Sequence, residues 1–406
     1  MNRKIRVCFV DDEPNILQGL KRFMRPMVNE WEMEFHLSGD SALFSMAQNG
    51  AFDVVVSDMR MPGLDGAALL ARIRQDYPET IRVILSGYAD SEAILRTIGP
   101  AHIYLAKPCD GESLRAAIRQ PLALRRLLSS DAMRRALGGL ESLPTLPDLF
   151  VRLDQELRSP HCSAASVAKI IGSDTAMTAE ILKLTNSAYF GIGQQINSVL
   201  QAVRTLGVET IQTLVVKTVI FRRFAGNPQV MPYIEGLNRH GLILSHLAKR
   251  IAAALGSSES VAESAGCAAL LGNIGGLVLL ECHSGDYVRI LSRVDATRPV
   301  HQAEAEAYGV HHGHVGAYLL GLWGFADRIV EAVAHAPAPS QAGHADNMLL
   351  SVVHLARSLG PAFPPLPRDA HEIRPLDSAY LAQAGLLDHL PHLTALAKAA
   401  TAEVSR

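Results

Sequence analysis

From residue 1 to about 120, short runs rich in β-branched residues alternate with segments of helix length. The five runs are IRVCFV, EFHLS, FDVVVSD, IRVILSG and HIYLAKP. Strands that alternate with helices predict a parallel sheet with helices on both faces. The runs DVVVS and RVILS are apolar without alternation, as strands buried on both faces should be. The sequence therefore predicts an α/β domain with a five-stranded parallel sheet at its N-terminal end.

The pattern changes after Lys107-Pro108, and the later segments have helical periodicity. From LPTLPDLF onward we count roughly ten helical segments and no credible strand. Ser163 and Asp174 each precede an apolar periodic run as N-cap residues, and Gly207 follows one as a stop signal. The segments HAPAPSQAGH and LGPAFPPLPRD are rich in proline and predict loops. The second part of the chain is therefore predicted to be an all-α domain.

A chain of 406 residues is too long for one ordinary core, which favours two or three domains. The predicted division is an α/β domain at 1–122, a helical linker at 123–140, an all-α domain at 141–360 and a C-terminal loop and helical extension at 361–406. The last segment, AYLAQAGLLDHLPHLTALAKAATAEV, predicts a final helix or two packed on the all-α domain.

Charge and cysteine content exclude several classes of protein. The formal net charge is −2 and charged residues make up 19% of the chain, so no strong field attracts nucleic acid or a membrane. The five cysteines have no CxxC spacing, and no charged-then-apolar leader begins the sequence. No apolar run approaches the roughly 20 residues that span a bilayer. We therefore expect a soluble cytoplasmic protein, with neither nucleic acid nor a membrane as its partner.

Polar residues gather at the carboxyl ends of the predicted strands: Asp11, Asp12, Asp58, Ser86 and Lys107. These strand ends share one edge of a parallel sheet, where ligands bind. Like charges so close favour a shared cation, and a cluster of oxygen ligands suits Mg²⁺. The Lys107 ammonium and the Ser86 hydroxyl are types of group that hold phosphoryl oxygens. Taken singly, Asp11 and Asp12 could instead cap a helix and Asp58 could simply end a strand.

The first half resembles the CheY-like receiver domains of two-component response regulators, from residue 3 to about 122. The motifs VDDEPN, DMRMPGLDG, ILSGYAD and YLAKP carry the resemblance. It implies a flavodoxin-like fold in which Asp58 accepts a phosphoryl group from a sensor histidine kinase or a phosphotransfer protein. It also implies that the pocket of Asp11, Asp12 and Asp58, with the main-chain carbonyl of Arg60, binds Mg²⁺.

The same resemblance implies a phosphate contact and a switch. Lys107 would contact the phosphate, Ser86 occupies the Ser/Thr position of the family, and Tyr104 occupies its switch aromatic. A phosphoryl group adds about −1.5 to −2 charge and can draw Ser86 inward, leaving space for Tyr104. The alternative for Tyr104 is an ordinary amphipathic residue at a strand edge.

The second half resembles the HDOD module, a helical relative of the HD phosphohydrolases, from about residue 140 to 360. NSAYFG and AVRTLG are the most specific motifs of this resemblance. HD enzymes hold one or two metals with a His from one helix, a His-Asp pair from the next and a later Asp. In this chain the first His corresponds to His240, the pair falls on Gly272 and Asn273, and the late Asp falls on Arg357.

These substitutions predict an HDOD domain that holds no metal. Glycine has no ligand atom, a neutral amide is a poor replacement for a carboxylate, and a guanidinium repels a cation. Without the metal, no bound water is driven toward hydroxide. We therefore predict that the chain is not an enzyme. The phosphorylated receiver would signal through binding of a downstream protein or through self-association, for example as a homodimer.

The remaining histidines leave an alternative open. His311, His312 and His314 form an HHxH cluster, and His335 and His344 flank a loop. They are either surface or partly buried polar residues, or part of a displaced metal site. Such a site, in a metal-dependent cyclic-dinucleotide or nucleotide phosphodiesterase, would draw on His240, His311, His312 and His335.

Three glycines surround the vacant HD position: Gly272, Gly275 and Gly276. Missing side chains let two helix backbones approach closely. Alternatively, these glycines open a cavity for a ligand.

Overall fold

The structure is a computed structural model. It describes residues 4–77, 80–87, 101–112, 114–115, 117–119, 122, 144–145, 147–157, 159, 162–186, 195–208, 210–211, 222–223, 230–292, 294, 298–323, 325–361 and 376–404. The predicted helical linker at 123–140 lies outside these residues, and so does most of the proline-rich segment after residue 361.

The first half is one parallel sheet with helices between its strands. The strands are β1 (Ile5–Val10), β2 (Trp31–His36), β3 (Val54–Asp58), β4 (Ile81–Gly87) and β5 (Ile103–Lys107), in the spatial order β2-β1-β3-β4-β5. The helices are α1 (Pro14–Phe23), α2 (Gly39–Asn49) and α3 (Gly66–Asp76), and residues 111–112, 114–115, 117–119 and 122 are also helical. This strand order is that of flavodoxin-like folds. The predicted α/β class is confirmed.

The register of the sheet brings the carboxyl ends of its strands to one edge. Asp58, the last residue of β3, lies opposite Leu85 in β4. Gly87, the last residue of β4, lies opposite Lys107, the last residue of β5. The central strand β3 is buried along its whole length, as its unbroken apolar run predicts. The polar strand ends are therefore held on a rigid, buried sheet.

The rest of the described chain is helical, apart from one pair of very short strands. The helices are α4 (Pro147–Leu157), α5 (Ala164–Ile171), α6 (Thr175–Thr185), α7 (Val199–Leu206), α8 (Met231–Ala254), α9 (Glu259–Leu271), α10 (Ile274–Leu291), α11 (Val300–Tyr308), α12 (His312–Leu322), α13 (Asp327–His335), α14 (Met348–Leu359), α15 (Ser378–Gln383) and α16 (Leu390–Val404). Short 3₁₀ helices lie at Arg25–Met27, Pro339–Ala342 and Leu387–His389. The helical class of this half is confirmed.

The two short strands are β6 (Pro144–Thr145) and β7 (Arg222–Arg223), which pair in parallel. The prediction of no strand from LPTLPDLF onward was wrong for this pair. A pairing of two residues on each strand is too short to produce the alternation from which strands are predicted.

The residues that were predicted to begin or end helices lie at helix ends in the structure. The Ser163 hydroxyl accepts a hydrogen bond from the Ser166 main-chain N–H in a capping box, and the Asp174 carboxylate accepts one from Met177 N–H. Gly207 ends α7 with φ of +82°, a conformation that glycine adopts without strain. These predicted boundaries are confirmed.

Helix α8 is the long central helix of the second half. It packs against α9 and α14, and the C-terminal helix α16 packs on α8 and α14. The prediction of a final helix or two packed on this half is therefore confirmed. The stretch formed by α9 and α10, Glu259–Leu291, is long and apolar enough to cross a membrane, but most of it is buried inside the fold. This stretch is the core of the helical half.

Helices α10 and α12 are in backbone contact at Gly275. A Cβ atom on Gly275 would overlap the main-chain oxygen of His312 and would lie 2.8 Å from the main-chain nitrogen of Gly316. The positions of Gly272 and Gly276 are less tight, because the nearest atom to a Cβ at either is 3.3 Å away. Close helix packing is therefore the physical role of Gly275.

Gly275→Ala is expected to lower the free energy of unfolding by about 1 to 3 kcal/mol, because the added methyl group forces two packed helices apart. Gly285→Ala, in the part of α10 beyond a kink at His283, is the control, since a Cβ there meets nothing within 4 Å. The control should be unchanged or slightly more stable, because alanine favours a helix over glycine. Midpoints of urea unfolding compare the two, and equal midpoints would contradict the packing argument.

Candidate functional site

The carboxyl ends of β1, β3 and β5 form a buried acidic pocket. Asp11 is 1% exposed and Asp58 is 8% exposed. The Lys107 Nζ atom donates to Asp11 Oδ2 at 2.8 Å and forms an ion pair with Asp58 Oδ1. Asp12 lies partly exposed beside Asp11, and Ser86 is buried at the end of β4. One ammonium group therefore bridges two carboxylates from different strands.

Main-chain groups orient both carboxylates. Arg60 N–H donates to Asp58 Oδ2 at 2.9 Å, and Glu13 N–H donates to Asp11 Oδ1 at 3.0 Å. Gly66 lets α3 lie directly against the end of β3, since a Cβ there would overlap the main-chain oxygen of Asp58. The local backbone thus fixes one oxygen of Asp58 and leaves Oδ1 on the side of Lys107.

The electrostatics of the pocket keep its lysine charged. Burial raises the pKa of Asp58, while the hydrogen bond and charge of Lys107 oppose that rise. Burial alone would lower the pKa of Lys107, but its hydrogen bonds to Asp11 and Asp58 raise it overall. Lys107 is therefore a cation at neutral pH, as a group that binds phosphoryl oxygens must be.

The structure brings the predicted residues Asp11, Asp58 and Lys107 into direct contact. Tyr104 pairs with Ile84 through the β4–β5 ladder, but its side chain lies outside the described part of the structure. The prediction of a switch aromatic therefore stays a prediction.

The predicted HD positions also meet in one buried place, between α8, α9, α10 and α14. Asn273 Nδ2 donates to His240 Nδ1 at 3.1 Å and to Leu237 O at 2.8 Å. The guanidinium of Arg357 lies beside Gly272, where a Cβ would be 3.7 Å from Nη1. The residues at the predicted HD positions are therefore neighbours.

Glu304 is a buried residue of this region that sequence reasoning missed. It is 0% exposed, and its Oε2 accepts hydrogen bonds from His312 N–H at 2.9 Å and from His312 Nδ1 at 2.6 Å. Its Oε1 accepts the hydroxyl of Tyr287 at 2.6 Å. On the far side of the imidazole, Arg357 Nη2 donates to His312 Nε2 at 3.0 Å. Tyr287, Glu304, His312 and Arg357 thus form one continuous hydrogen-bonded chain.

These hydrogen bonds keep the carboxylate of Glu304 ionised in the core. Burial would raise the pKa of Glu304, but the hydrogen bonds that it accepts from His312 and from the Tyr287 hydroxyl hold it below its usual value. Burial and the neighbouring Glu304 raise the pKa of Tyr287 well above its usual value. The segment HQAEAEAY did not predict that Glu304 is buried, because a charged residue on a predicted helix normally indicates a solvent-exposed face.

The histidines form a contiguous cluster. The rings of His311 and His314 stack with centroids 3.7 Å apart. At the two ends of this pair, the ring centroid of His301 is 6.0 Å from that of His311, and the ring centroid of His335 is 6.2 Å from that of His314. His311 and His312 are buried, so the prediction of surface or partly buried positions was wrong for these two. Among the described residues, no group of three or more His, Cys, Asp or Glu side chains is arranged to hold a metal ion.

The helical half is expected to lose stability as the pH falls from about 6.5 toward 4. Burial, followed by neighbouring imidazoles and Arg357, lowers the pKa of His301 to about 4, and burial with His335 and His312 lowers that of His314 to about 4. Between these values and the ordinary histidine pKa, the unfolded chain binds protons that the folded chain does not, so stability falls with pH. Each histidine contributes less than about 1.4 kcal/mol per pH unit, because both rings are partly exposed.

Midpoints of urea unfolding at neutral pH and near pH 5 measure this dependence. His314→Gln should make the dependence shallower, whereas His246→Gln, at an exposed position of α8, should leave it unchanged. A midpoint that does not move between the two pH values would contradict the argument.

Two family models match the chain. The model described as the response regulator receiver domain matches residues 7–119, and the model described as the HDOD domain matches residues 143–339. Among curated relatives, the hydrogenase transcriptional regulatory protein HoxA of Cupriavidus necator is 31% identical over 172 residues, which are 42% of this chain and 34% of that protein. The C4-dicarboxylate transport transcriptional regulatory protein DctD of Pseudomonas aeruginosa is 30% identical over 33% of this chain and 29% of its own length. The chain thus spans about a third of these relatives.

Solved structures match parts of the chain. The signal receiver domain of an HD domain-containing protein from Pseudomonas fluorescens Pf-5 is 35% identical and covers 32% of this chain and 100% of that chain, with a TM-score of 0.29. A virulence factor from Campylobacter jejuni is 21% identical and covers 68% of this chain and 97% of that chain, with a TM-score of 0.49. On the two family matches, the chain belongs to the proteins in which an N-terminal response regulator receiver domain is followed by an HDOD domain.

Proposed function

We propose that this response regulator is phosphorylated on Asp58 and signals through an HDOD domain that has no catalytic activity. The observation that carries the proposal is a contrast between the two halves. In the receiver, Asp11, Asp58 and Lys107 meet in one pocket. At the HD positions of the helical half, the arginine Arg357 lies beside a glycine, Gly272, where a metal site would need ligands.

The proposed reaction moves a phosphoryl group from a phosphohistidine of the sensor kinase or phosphotransfer protein to Asp58. A carboxylate oxygen of Asp58 attacks phosphorus, the P–N bond breaks, and an acyl phosphate forms while the departing imidazole takes up a proton. Lys107 holds the phosphoryl oxygens, and the Ser86 hydroxyl donates to one of them. Tyr104 then moves into the space that Ser86 leaves, which changes the receiver surface.

The acidic pocket suits Mg²⁺. Asp11, Asp12 and Asp58 offer carboxylate oxygens, and Arg60 offers a main-chain carbonyl oxygen, the hard ligands that Mg²⁺ prefers. When bound, Mg²⁺ neutralises part of the negative charge that the phosphoryl group brings into the pocket.

The hydrogen-bonded chain in the helical half supports an output without metal catalysis. The Nε2 lone pair of His312 accepts a hydrogen bond from Arg357, so it is not available to a metal ion. The negative charge of Glu304 is already balanced by the guanidinium through His312. A divalent cation brought here would face the positive charge of Arg357 at close range.

We assign residues 1–122 to the receiver, 123–140 to a helical linker, 141–360 to the HDOD domain and 361–406 to a C-terminal extension. The proposed partners are a sensor histidine kinase or phosphotransfer protein upstream, and a downstream protein or a second copy of the chain. The proposed location is the cytoplasm.

Hydrogen exchange with Mg²⁺, with and without beryllofluoride, tests the coupling between the halves, because beryllofluoride mimics a phosphoryl group on aspartate. Altered protection within residues 141–360, absent in Asp58→Asn, is the expected result. A change confined to residues 86–107 would mean that the HDOD domain is not the regulated output.

Incubation with cyclic dinucleotides and Mn²⁺, Fe²⁺ or Mg²⁺ tests the absence of catalysis. No metal-dependent turnover is expected. Turnover that His240→Ala abolishes would instead establish the phosphodiesterase with a displaced metal site.

A further inference from the structure

A cleft of about 760 Å³ opens in the helical half, with α5 and α7 on one wall and α8 and α9 on the other. Sites for small molecules commonly have volumes of about 300 to 1,000 Å³. The HD positions His240, Asn273 and Arg357 do not line this cleft, so it is separate from the hydrogen-bonded chain described above.

Cationic side chains on the wall formed by α5 and α7 have no partner among the described residues. Lys169 of α5 and Arg204 of α7 line the cleft, are exposed, and make no ion pair or side-chain hydrogen bond with any residue that the structure describes. On the opposite wall, Lys249 is paired with Glu263 at 2.6 Å, and Glu259 is the other carboxylate of the lining. Among the described lining residues, three cations thus face two carboxylates, and the uncompensated positive charge lies on the first wall.

The first turn of α7 adds hydrogen-bond donors to the same wall. Ser198 precedes the helix without a side-chain cap bond, and Val199, Leu200 and Gln201 line the cleft. The first main-chain N–H groups of a helix have no acceptor within the helix, and they favour a negative group. They lie on the wall that carries Arg204.

Asn197 supplies a further polar group to the cleft. Its Nδ2 donates to Ser264 Oγ at 3.2 Å, which joins the segment before α7 to α9. Its Oδ1 is buried and accepts no hydrogen bond from the described residues. Buried acceptors normally have a donor, and a hydroxyl or N–H group of a ligand would supply one here after a small rotation of this side chain.

We propose that this cleft binds a phosphate-bearing small molecule of nucleotide size. The phosphate lies against Lys169, Arg204 and the first turn of α7, and the rest of the ligand lies between Asn197 and the serine side chains of α8 and α9. Because such a ligand touches both walls, it holds α5 and α7 against α8 and α9. The proposal does not depend on phosphorylation at Asp58.

Isothermal titration calorimetry of the full-length protein with inorganic pyrophosphate and with ADP tests the proposal. EDTA in the buffer keeps Mg²⁺ out of the receiver pocket. Both probes should bind, and Arg204→Gln and Lys169→Gln should each weaken binding by about tenfold, the effect of losing one charge-assisted hydrogen bond. Both side chains are exposed, so the variants should fold normally, which unchanged thermal unfolding verifies.

Matched controls are Arg328→Gln and Lys398→Gln, which remove exposed cations of the helical half outside the cleft. Their affinities for both probes should equal that of the wild type. Hydrogen exchange with bound pyrophosphate should protect the segment 195–201. Absence of binding at millimolar concentrations, or binding that neither cleft variant weakens, would overturn the proposal.

Discussion

Asp58→Asn is expected to abolish phosphorylation of the chain by a small phosphodonor such as acetyl phosphate in the presence of Mg²⁺. The amide has nearly the shape of the carboxylate but lacks the anionic oxygen that attacks phosphorus. The rest of the pocket should persist, because Lys107 keeps its hydrogen bond to Asp11 and Arg60 N–H can still donate to the side-chain oxygen. Intact-protein mass spectrometry detects the gain of one phosphoryl group directly.

Asp40→Asn is the control for this experiment. Asp40 lies in the first turn of α2 in the same domain, and its side chain is 75% exposed. This variant should be phosphorylated to the same extent as the wild type. A phosphoryl group retained by the Asp58 variant would show that the acceptor is another residue.

Glu304→Ala is expected to lower the free energy of unfolding of the helical half by about 3 to 5 kcal/mol, because three buried donors lose their acceptor at a cost of about 1 to 3 kcal/mol each. The substitution leaves the Tyr287 hydroxyl, the His312 main-chain N–H and His312 Nδ1 without their acceptor. It also leaves the guanidinium of Arg357 without a nearby counter-charge from Glu304. Tyr287 and Glu304 are 0% exposed and His312 is 4% exposed, so solvent does not reach the donors that lose their acceptor.

Glu306→Ala in the same helix is the matched control. Its side chain is 61% exposed and pairs with Arg298 at the surface, so its removal should cost less than about 1 kcal/mol. Urea unfolding followed by pulsed hydrogen exchange of peptides from 231–359 separates the helical half from the receiver. If the two variants unfold at the same urea concentration, the buried hydrogen bonds of Glu304 do not stabilise the helical half.

The acidic pocket could be predicted because it follows from strand order. Once the apolar runs are assigned as parallel strands, Asp11, Asp58 and Lys107 must lie at one edge of the sheet, and the structure brings them into contact. The distances could not be predicted. Whether Lys107 reaches one carboxylate or both depends on the register of β5 against β4, which the apolar pattern alone does not determine.

The helical half was predicted less completely, for a physical reason. Helical periodicity indicates which face of a helix is buried, but it does not indicate which helices touch. The contact of Arg357 with His312 joins residues 45 positions apart, and Glu304 reaches His312 across a turn between two helices. Only tertiary packing creates these partners. A buried glutamate therefore had the same signature in the sequence as a solvated one.

Helix α8 is a long helix against which α9, α14 and α16 of the helical half pack. Its 24 residues form one continuous rod about 36 Å long. His240 lies near the middle of the rod, Ser245 and Lys249 lie about 1.4 and about 2.5 turns farther along it, and α16 rests against its side. Because α8 is one continuous helix, a tilt of the helix at any of these residues also displaces the other residues. No series of side-chain contacts between them is needed.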